Sequence, residues 1–138
     1  KGLEVYAWCL MTNHLHLIAA AKENGPLSLS DILGDFKKFT SKAIVAKIKE
    51  IPESRHKWLL DRFEFAGKYN NKIEFYTFWQ DGNEPKEIYS ADFLQQKIAY
   101  IHDNPVRAGW VKEPQQYKYS SAIDYAKGKG LIDIIFAY

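Results

Sequence analysis

Leu3 to Leu10 is a nearly continuous run of apolar and aromatic residues, interrupted only by Glu4. Such a run, short and rich in strand-forming residues, predicts a strand covered on both faces. Thr12-Asn13 carries turn chemistry. His14 to Ala20 predicts a second strand, so the two form a hairpin. Gly25-Pro26 breaks the chain, and the period then changes. Ile32, Leu33, Phe36, Phe39, Ala43, Ile44 and Ile48 recur at helical spacing, with Lys37, Lys38, Lys42, Lys47 and Lys49 largely on the other side. This predicts an amphipathic helix over 28–50, opened by Ser28 or Ser30 and ended by Pro52. His56 to Phe65 reads equally as a short helix or an irregular segment. Tyr69 to Lys72 predicts a turn, Ile73 to Trp79 a strand, and Asp81 to Pro85 a loop. Ser90 caps a further helix, lined by Phe93, Leu94, Lys97, Ile98, Ile101 and His102 and closed by Asn104-Pro105. Ala108-Gly109 predicts a turn and Pro114 to Tyr119 a loop. Ser120-Ser121 caps a short helix to about Tyr125, ended by Gly128 and Gly130. Leu131 to Phe136 is a final strand or a docked tail. The elements predict an α+β domain whose central antiparallel sheet carries the histidine strand. The helix over 28–50 and the helix after Ser90 are expected to cover one or both faces. With no repeat, low-complexity segment or linker, residues 1–138 are expected to form a single domain.

Composition sharpens this only in places. Hydrophobic residues make up 46% and aromatics 15%, which favours a packed core over disorder. Lys and Arg number 19 against 17 acidic residues. That balance permits a local basic face for nucleic acid without demanding one. The single cysteine, Cys9, sits in an apolar run; one thiol excludes a disulfide framework and a cysteine-based zinc site. No apolar run has the roughly 18 residues a membrane span needs, and no signal peptide is visible, so no membrane partner and a cytoplasmic location are expected. Lys1 is not an initiator Met, and a strand begins at Leu3. Residues before Lys1 are therefore expected to be missing.

Two spacings carry chemistry. His14-Leu15-His16 lies in a predicted strand, where i and i+2 share a face. Both imidazoles then project together, half of a metal site, with Leu15 and Leu17 facing the core. Alone, the pair is as readily the polar side of a half-exposed strand. Tyr100 and Asn104 lie four apart near a helix end and share a face. A phenol is a nucleophile, and a carboxamide oxygen is a hard ligand suited to Mg²⁺ or Mn²⁺. Their plain alternatives are a half-buried helix aromatic and a helix cap before proline. His102 lies off that face, as a DNA contact, a base or surface. Arg107 follows the helix and is a phosphate candidate. Lys37, Lys38 and Lys42 either meet phosphates or form a solvated face, with equal weight. The aromatics (4 Trp, 9 Tyr and 8 Phe) include residues able to stack on unpaired bases, but most must be core, so composition singles out none.

Together the spacings resemble a known family. His14-Leu15-His16 looks like the His-hydrophobic-His motif of HUH nucleases. Tyr100-Ile-His-Asp-Asn-Pro-Val-Arg-Ala-Gly109 is similar to the signature of REP-associated tyrosine transposases and their insertion-sequence relatives. Ala7 to Met11 with Asn13-His14, Phe78-Trp79-Gln80 and Tyr119-Ser-Ser-Ala122 agree in order and separation, so the likeness runs from about Val5 to Tyr125. It implies a ferredoxin-like HUH core whose first strand and helix precede Lys1. It implies that His14, His16 and Asn104 bind one Mg²⁺ or Mn²⁺ ion and that Tyr100 is the nucleophile. The implied activity is cleavage and rejoining of single-stranded, hairpin-associated DNA through a 5′-phosphotyrosine link, in a cytoplasmic, nucleoid-associated enzyme. Dimers and monomers both occur among relatives, so a homodimer is one expected state. The alternatives are an inactive or domesticated single-stranded DNA- or RNA-binding module of the same fold, and a hydrolase using both histidines with a carboxylate. A replication initiator or relaxase is disfavoured by the short chain.

Overall fold

A tight turn over Met11–His14, in which the Met11 N–H donates to the His14 carbonyl at 2.9 Å, folds the first two apolar runs back on each other. The computed structural model describes residues 1–51, 54–68 and 78–137. In it, β1 (Leu3–Leu10) and β2 (Leu15–Ala21) form an antiparallel two-stranded sheet. The register is Leu10↔Leu15, Cys9↔His16, Trp8↔Leu17 and Ala7↔Ile18, with an irregularity between Val5 and Ala7. The second edge of β1 is also engaged. Leu10 N–H donates to the Tyr119 carbonyl, Ser121 N–H donates to that of Trp8, and Cys9 bridges Ser120. Further back, Ile135 N–H donates to the Val5 carbonyl at 2.8 Å. Paired on both sides, β1 buries Ala7, Trp8 and Cys9 in succession, which is why it carries an unbroken apolar run rather than an alternating one. The segment 131–136 is a docked tail rather than a strand.

Helix α3 (Ala91–Arg107) packs on β1. Ser90 opens it, its hydroxyl accepting from Phe93 N–H at 3.1 Å. Such a cap is worth about 1 kcal/mol. Ile98, Ile101, His102 and Pro105 are buried at the i, i+3, i+4, i+7 spacing of one helical stripe. Ile98 and Ile101 meet Ala7 in the core, with Ile18 and Leu94 packed alongside.

Two expectations change here. Asn104-Pro105 does not close the helix. Pro105 has no N–H to give the Ile101 carbonyl, but the Asn104 side-chain amide donates to that carbonyl at 3.3 Å and to the Tyr100 carbonyl at 3.2 Å. The last turn thus survives to Arg107. It ends where Gly109, at φ 76, lets Trp110 N–H reach the Pro105 carbonyl and Gly109 N–H that of Val106. Nor does the hydroxyl of Ser121 cap the short helix α4 (Ala122–Tyr125). It accepts instead from Trp8 N–H at 2.9 Å and so pins this segment to β1. Between α3 and α4, residues Pro114–Gln116 make one turn of 3-10 helix inside the expected loop.

These parts, Lys1–Leu29 with Lys86–Tyr138, form one compact unit; Ser30–Pro85 forms a second. In the second, α1 (Leu29–Glu50) follows the predicted bounds, and α2 (His56–Lys68) resolves the ambiguous segment as helix. Ile32 and Val45 are the buried residues of α1, whereas Phe39, expected on its apolar face, is 74% exposed. Helical spacing says which residues align, and packing decides which aligned residues are covered. Trp79 lies 5.8 Å from Phe36 between ring centres and donates its indole N–H to the Thr40 hydroxyl at 2.8 Å. The turn expected at Tyr69–Lys72, the strand positions 73–77 and the stop at Pro52 lie outside the described residues. Phe78 and Trp79 are not in a strand. The described residues thus carry an α+β fold: a two-stranded antiparallel sheet with four α-helices. None of those helices is long and apolar enough to cross a membrane.

Candidate active site

Cross-strand partners share a face of the sheet. Cys9 faces His16 and Ala7 faces Ile18 across the hairpin, so His16 stands on the same face as the core cluster under α3. This corrects the expectation for Leu15 and Leu17. They alternate with His16 and Ile18 and so lie on the opposite face, and both are only half-buried. Alternation predicted that the two sets separate, but not which one α3 would cover.

The imidazoles converge. His14 Nε2 and His16 Nε2 are 3.1 Å apart. The Asn13 side-chain oxygen lies 2.6 Å from His14 Nδ1, where it can accept a hydrogen bond from Nδ1–H and so favour the tautomer whose Nε2 has a free lone pair. Burial, then the positive charges of His14 and Arg107, hold the His16 imidazolium below its ordinary range. A neutral imidazole is the form that ligates metal.

The donor set fits a divalent cation. The two Nε2 atoms, 3.1 Å apart, are close enough that one cation could be held by both. Among the described residues, no group of three His, Cys, Asp or Glu side chains could hold a metal ion. The third protein donor would therefore be of another kind, or the rest would be substrate and water.

Tyr100 comes to this pair from α3. Its ring centre is 6.1 Å from that of His16, at an interplanar angle of 85°. The phenol is about half exposed. Two cations flank its ring: Arg107, with its guanidinium carbon 4.4 Å from the ring centre, and Lys97, with its ammonium at 5.4 Å. Arg107 is itself held by Asp103 at 3.3 Å and by the Asn104 carboxamide oxygen at 3.0 Å. Cation–π placement of this kind fixes ring orientation and leaves positive charge beside the phenol.

The structure therefore brings together His14, His16, Tyr100 and Arg107, all within one compact unit. Asn104 shares the helix face of Tyr100 as expected, but its side chain is bonded to α3 and to Arg107.

His102 is corrected more sharply. As a DNA contact it would need an accessible ring, but it is 6% exposed, 2.7 Å from the Ser121 hydroxyl and packed on Tyr125. Burial lowers its pKa to about 4, against the opposing pull of Asp124. It is a neutral core residue that ties α3 to the segment bound along β1.

Of the three lysines on α1, Lys38 and Lys42 are exposed. Lys37 donates to the carbonyls of Gln80 and Gly82, at 3.1 and 2.9 Å. Cys9 is a fully buried thiol whose burial raises its pKa to about 11, which suits a structural residue. Sequence reasoning missed Asn13, Lys97 and Asp103. Asn13 adjoins the histidines, and the other two sit three residues either side of Tyr100, so helix spacing was the available signal.

One hairpin-and-helix unit thus gathers two imidazoles, a phenol and a guanidinium. Residues 1–74 match the family model described as IS200-like transposase. That stretch is more than half of the chain, and the chain belongs to the IS200-like transposase family. The match covers both histidines; Tyr100, Asn104 and Arg107 lie beyond it. Comparison with curated proteins and with solved structures returned no match. Membership makes this a protein of DNA transposition.

Proposed function

We propose that the protein cleaves and rejoins single-stranded DNA with Tyr100 as nucleophile and a divalent cation, Mg²⁺ or Mn²⁺, held by His14 and His16. The observation that carries this is the approach of the Tyr100 ring to His16, itself paired with His14. The Tyr100 oxygen attacks phosphorus and forms a phosphotyrosine ester at the 5′ end of the downstream fragment. The 3′ oxygen departs and takes up a proton, and the phenolic proton is lost to solvent or to a base. Attack by a 3′-hydroxyl on the phosphotyrosine reverses the step, reforms a phosphodiester and returns the phenol, so no external energy source is needed. When bound, the cation would polarise the scissile phosphate and offset the charge that builds on its oxygens.

The chain's own residues do the rest. Asn13 orients the His14 ring, in the way second-layer groups fix metal-binding histidines. Arg107 binds a phosphate oxygen and places charge beside the phenol. Asn104 is the proposed third donor, its carboxamide oxygen exchanging Arg107 for the cation. Lys38 and Lys42 add phosphate contacts that do not depend on sequence. The substrate class, single-stranded and hairpin-associated DNA, follows the resemblance to REP-associated relatives. Tyr100 meets His16 within one chain, so the proposed site needs no exchange of α3 between subunits of a homodimer.

Incubation with single-stranded hairpin DNA and Mn²⁺ or Mg²⁺ tests this. The wild type is expected to yield a protein–DNA adduct stable to denaturation, and His16→Ala or chelation to abolish it. Cleavage that persists without added metal and in His16→Ala would overturn the metal assignment.

A further inference from the structure

The outward face of α3 carries more than its tyrosine. Tyr89, just before the helix, stacks on Phe93 with ring centres 4.8 Å apart and only 13° between planes. The Lys97 ammonium lies 5.0 Å from the Phe93 ring centre and 5.4 Å from that of Tyr100. Arg107 covers Tyr100 in turn. Two aromatics, a cation, an aromatic and a cation thus follow one another along one ridge: Tyr89, Phe93, Lys97, Tyr100, Arg107. At 100° per residue the four on α3, Phe93, Lys97, Tyr100 and Arg107, fall within about 80° of arc, roughly opposite the buried stripe of Ile98, Ile101 and Pro105, and Tyr89 joins them through its stack on Phe93. Asp92 and Asp103 fall to one side of that arc, and Asp103 is paired with Arg107.

Packing does not account for this ridge. Tyr89 is 79% exposed and Tyr100 about half exposed, while Phe93 between them is partly buried. Single exposed aromatics are ordinary; three in register, interleaved with two cations and ending on a nucleophile, call for a ligand that is flat, apolar and anionic by turns. Single-stranded nucleic acid has that chemistry. Its bases stack on rings, and its phosphates pair with Lys and Arg. From Phe93 to Arg107 the helical part of the ridge is about 21 Å long, enough for several nucleotides.

We infer that this ridge is the track along which single-stranded DNA reaches Tyr100, with Tyr89 and Phe93 stacking bases and Lys97 holding the phosphate between them and the phenol. The inference rests on the cleavage reading for its direction, but not for the binding surface itself.

Anisotropy of fluorescein-labelled oligothymidylate with the full chain, in chelator so that no strand is cut, tests it. Tyr89→Ala is expected to weaken binding at least about 5-fold with an unchanged salt slope, since it removes a stacking platform and no charge. Lys97→Gln is expected to reduce the slope of log affinity on log salt by about 0.7, one phosphate contact to a single strand. Phe39→Ala, at an equally exposed ring on α1, serves as control and is expected to bind like wild type. Tyr89 is too exposed for its loss to unfold the chain, and an unchanged thermal midpoint checks this. The inference is overturned if Tyr89→Ala binds as tightly as wild type, if it loses affinity for duplex DNA by the same factor, or if Phe39→Ala loses as much. Adduct formation on the same variants separates the two claims. A normal Tyr100 adduct with unaltered binding in Tyr89→Ala removes the track and leaves the nuclease. Weakened binding with no adduct in any protein removes the nuclease and leaves the track.

Discussion

His102→Gln should make the protein less sensitive to mild acid. In the wild type the ring is 6% exposed and packed against Ser121 and Tyr125, with the Asp124 carboxylate as the facing charge. Burial outweighs that carboxylate and takes the pKa from the ordinary 6.5 to about 4. A group harder to protonate when folded favours the unfolded chain as acid is added. The ring's contribution to stability is therefore whole above pH 6.5, falls as pH drops from 6.5 toward 4, and falls no further below that. Between pH 7 and pH 5 the full shift corresponds to about 2 kcal/mol. Allowing for water that reaches partly covered groups brings this to about 1–2 kcal/mol. Glutamine can keep a bond to the Ser121 hydroxyl but does not titrate. Urea unfolding of both proteins at pH 7 and pH 5 measures the difference, and other titrating groups cancel in it. Wild type should lose about 1–2 kcal/mol more than the variant over this interval. Parallel losses would mean that His102 titrates freely, and the assignment of this histidine to the core would be wrong.

Three further outcomes follow from the geometry. Ser90→Ala removes the hydroxyl that accepts from Phe93 N–H and should cost about 1 kcal/mol in urea unfolding, with no change in adduct chemistry at saturating DNA. Asn13→Ala frees the His14 ring and should raise the Mn²⁺ concentration for half-maximal adduct formation at least about 10-fold, with little effect at saturating metal. Arg107→Gln should slow single-turnover adduct formation about 10²-fold, while unfolding shifts by less than about 1 kcal/mol, since its ion pair with Asp103 is half exposed.

Periodicity made the grouping of these side chains legible in the sequence, though not their surroundings. Period two predicted His14 and His16 on one strand face, and the i, i+4 rule put Tyr100 and Asn104 on one helix face; the strand begins only at Leu15, so His14 reaches His16 from the end of the turn. What periodicity lacks is the identity of the covering surface. Leu15 and Leu17 are as apolar as any core residue, yet α3 covers the face of His16 and Ile18. The burial of His102 was visible in principle, since it completes an i, i+3, i+4, i+7 stripe with Ile98, Ile101 and Pro105. Its partner Ser121 lies 19 residues away, and no local rule joins them. The conduct of Asn104 was hidden for a similar reason. Its amide replaces the hydrogen bond that Pro105 cannot make, so a residue read as a ligand and a helix end also extends the helix. Motif blocks that travel together are likewise not all chemical: Trp79 packs on Phe36, and Ser121 fastens β1.

The phenol of Tyr100 as the attacking group is the claim on which the account turns. Mass spectrometry of the adduct, after nuclease trimming of the DNA and proteolysis of the protein, locates the attached nucleotide. The account predicts a 5′-linked nucleotide on the peptide carrying Tyr100 and no adduct in Tyr100→Phe. A nucleotide on any other residue, or an undiminished adduct in Tyr100→Phe, would contradict it.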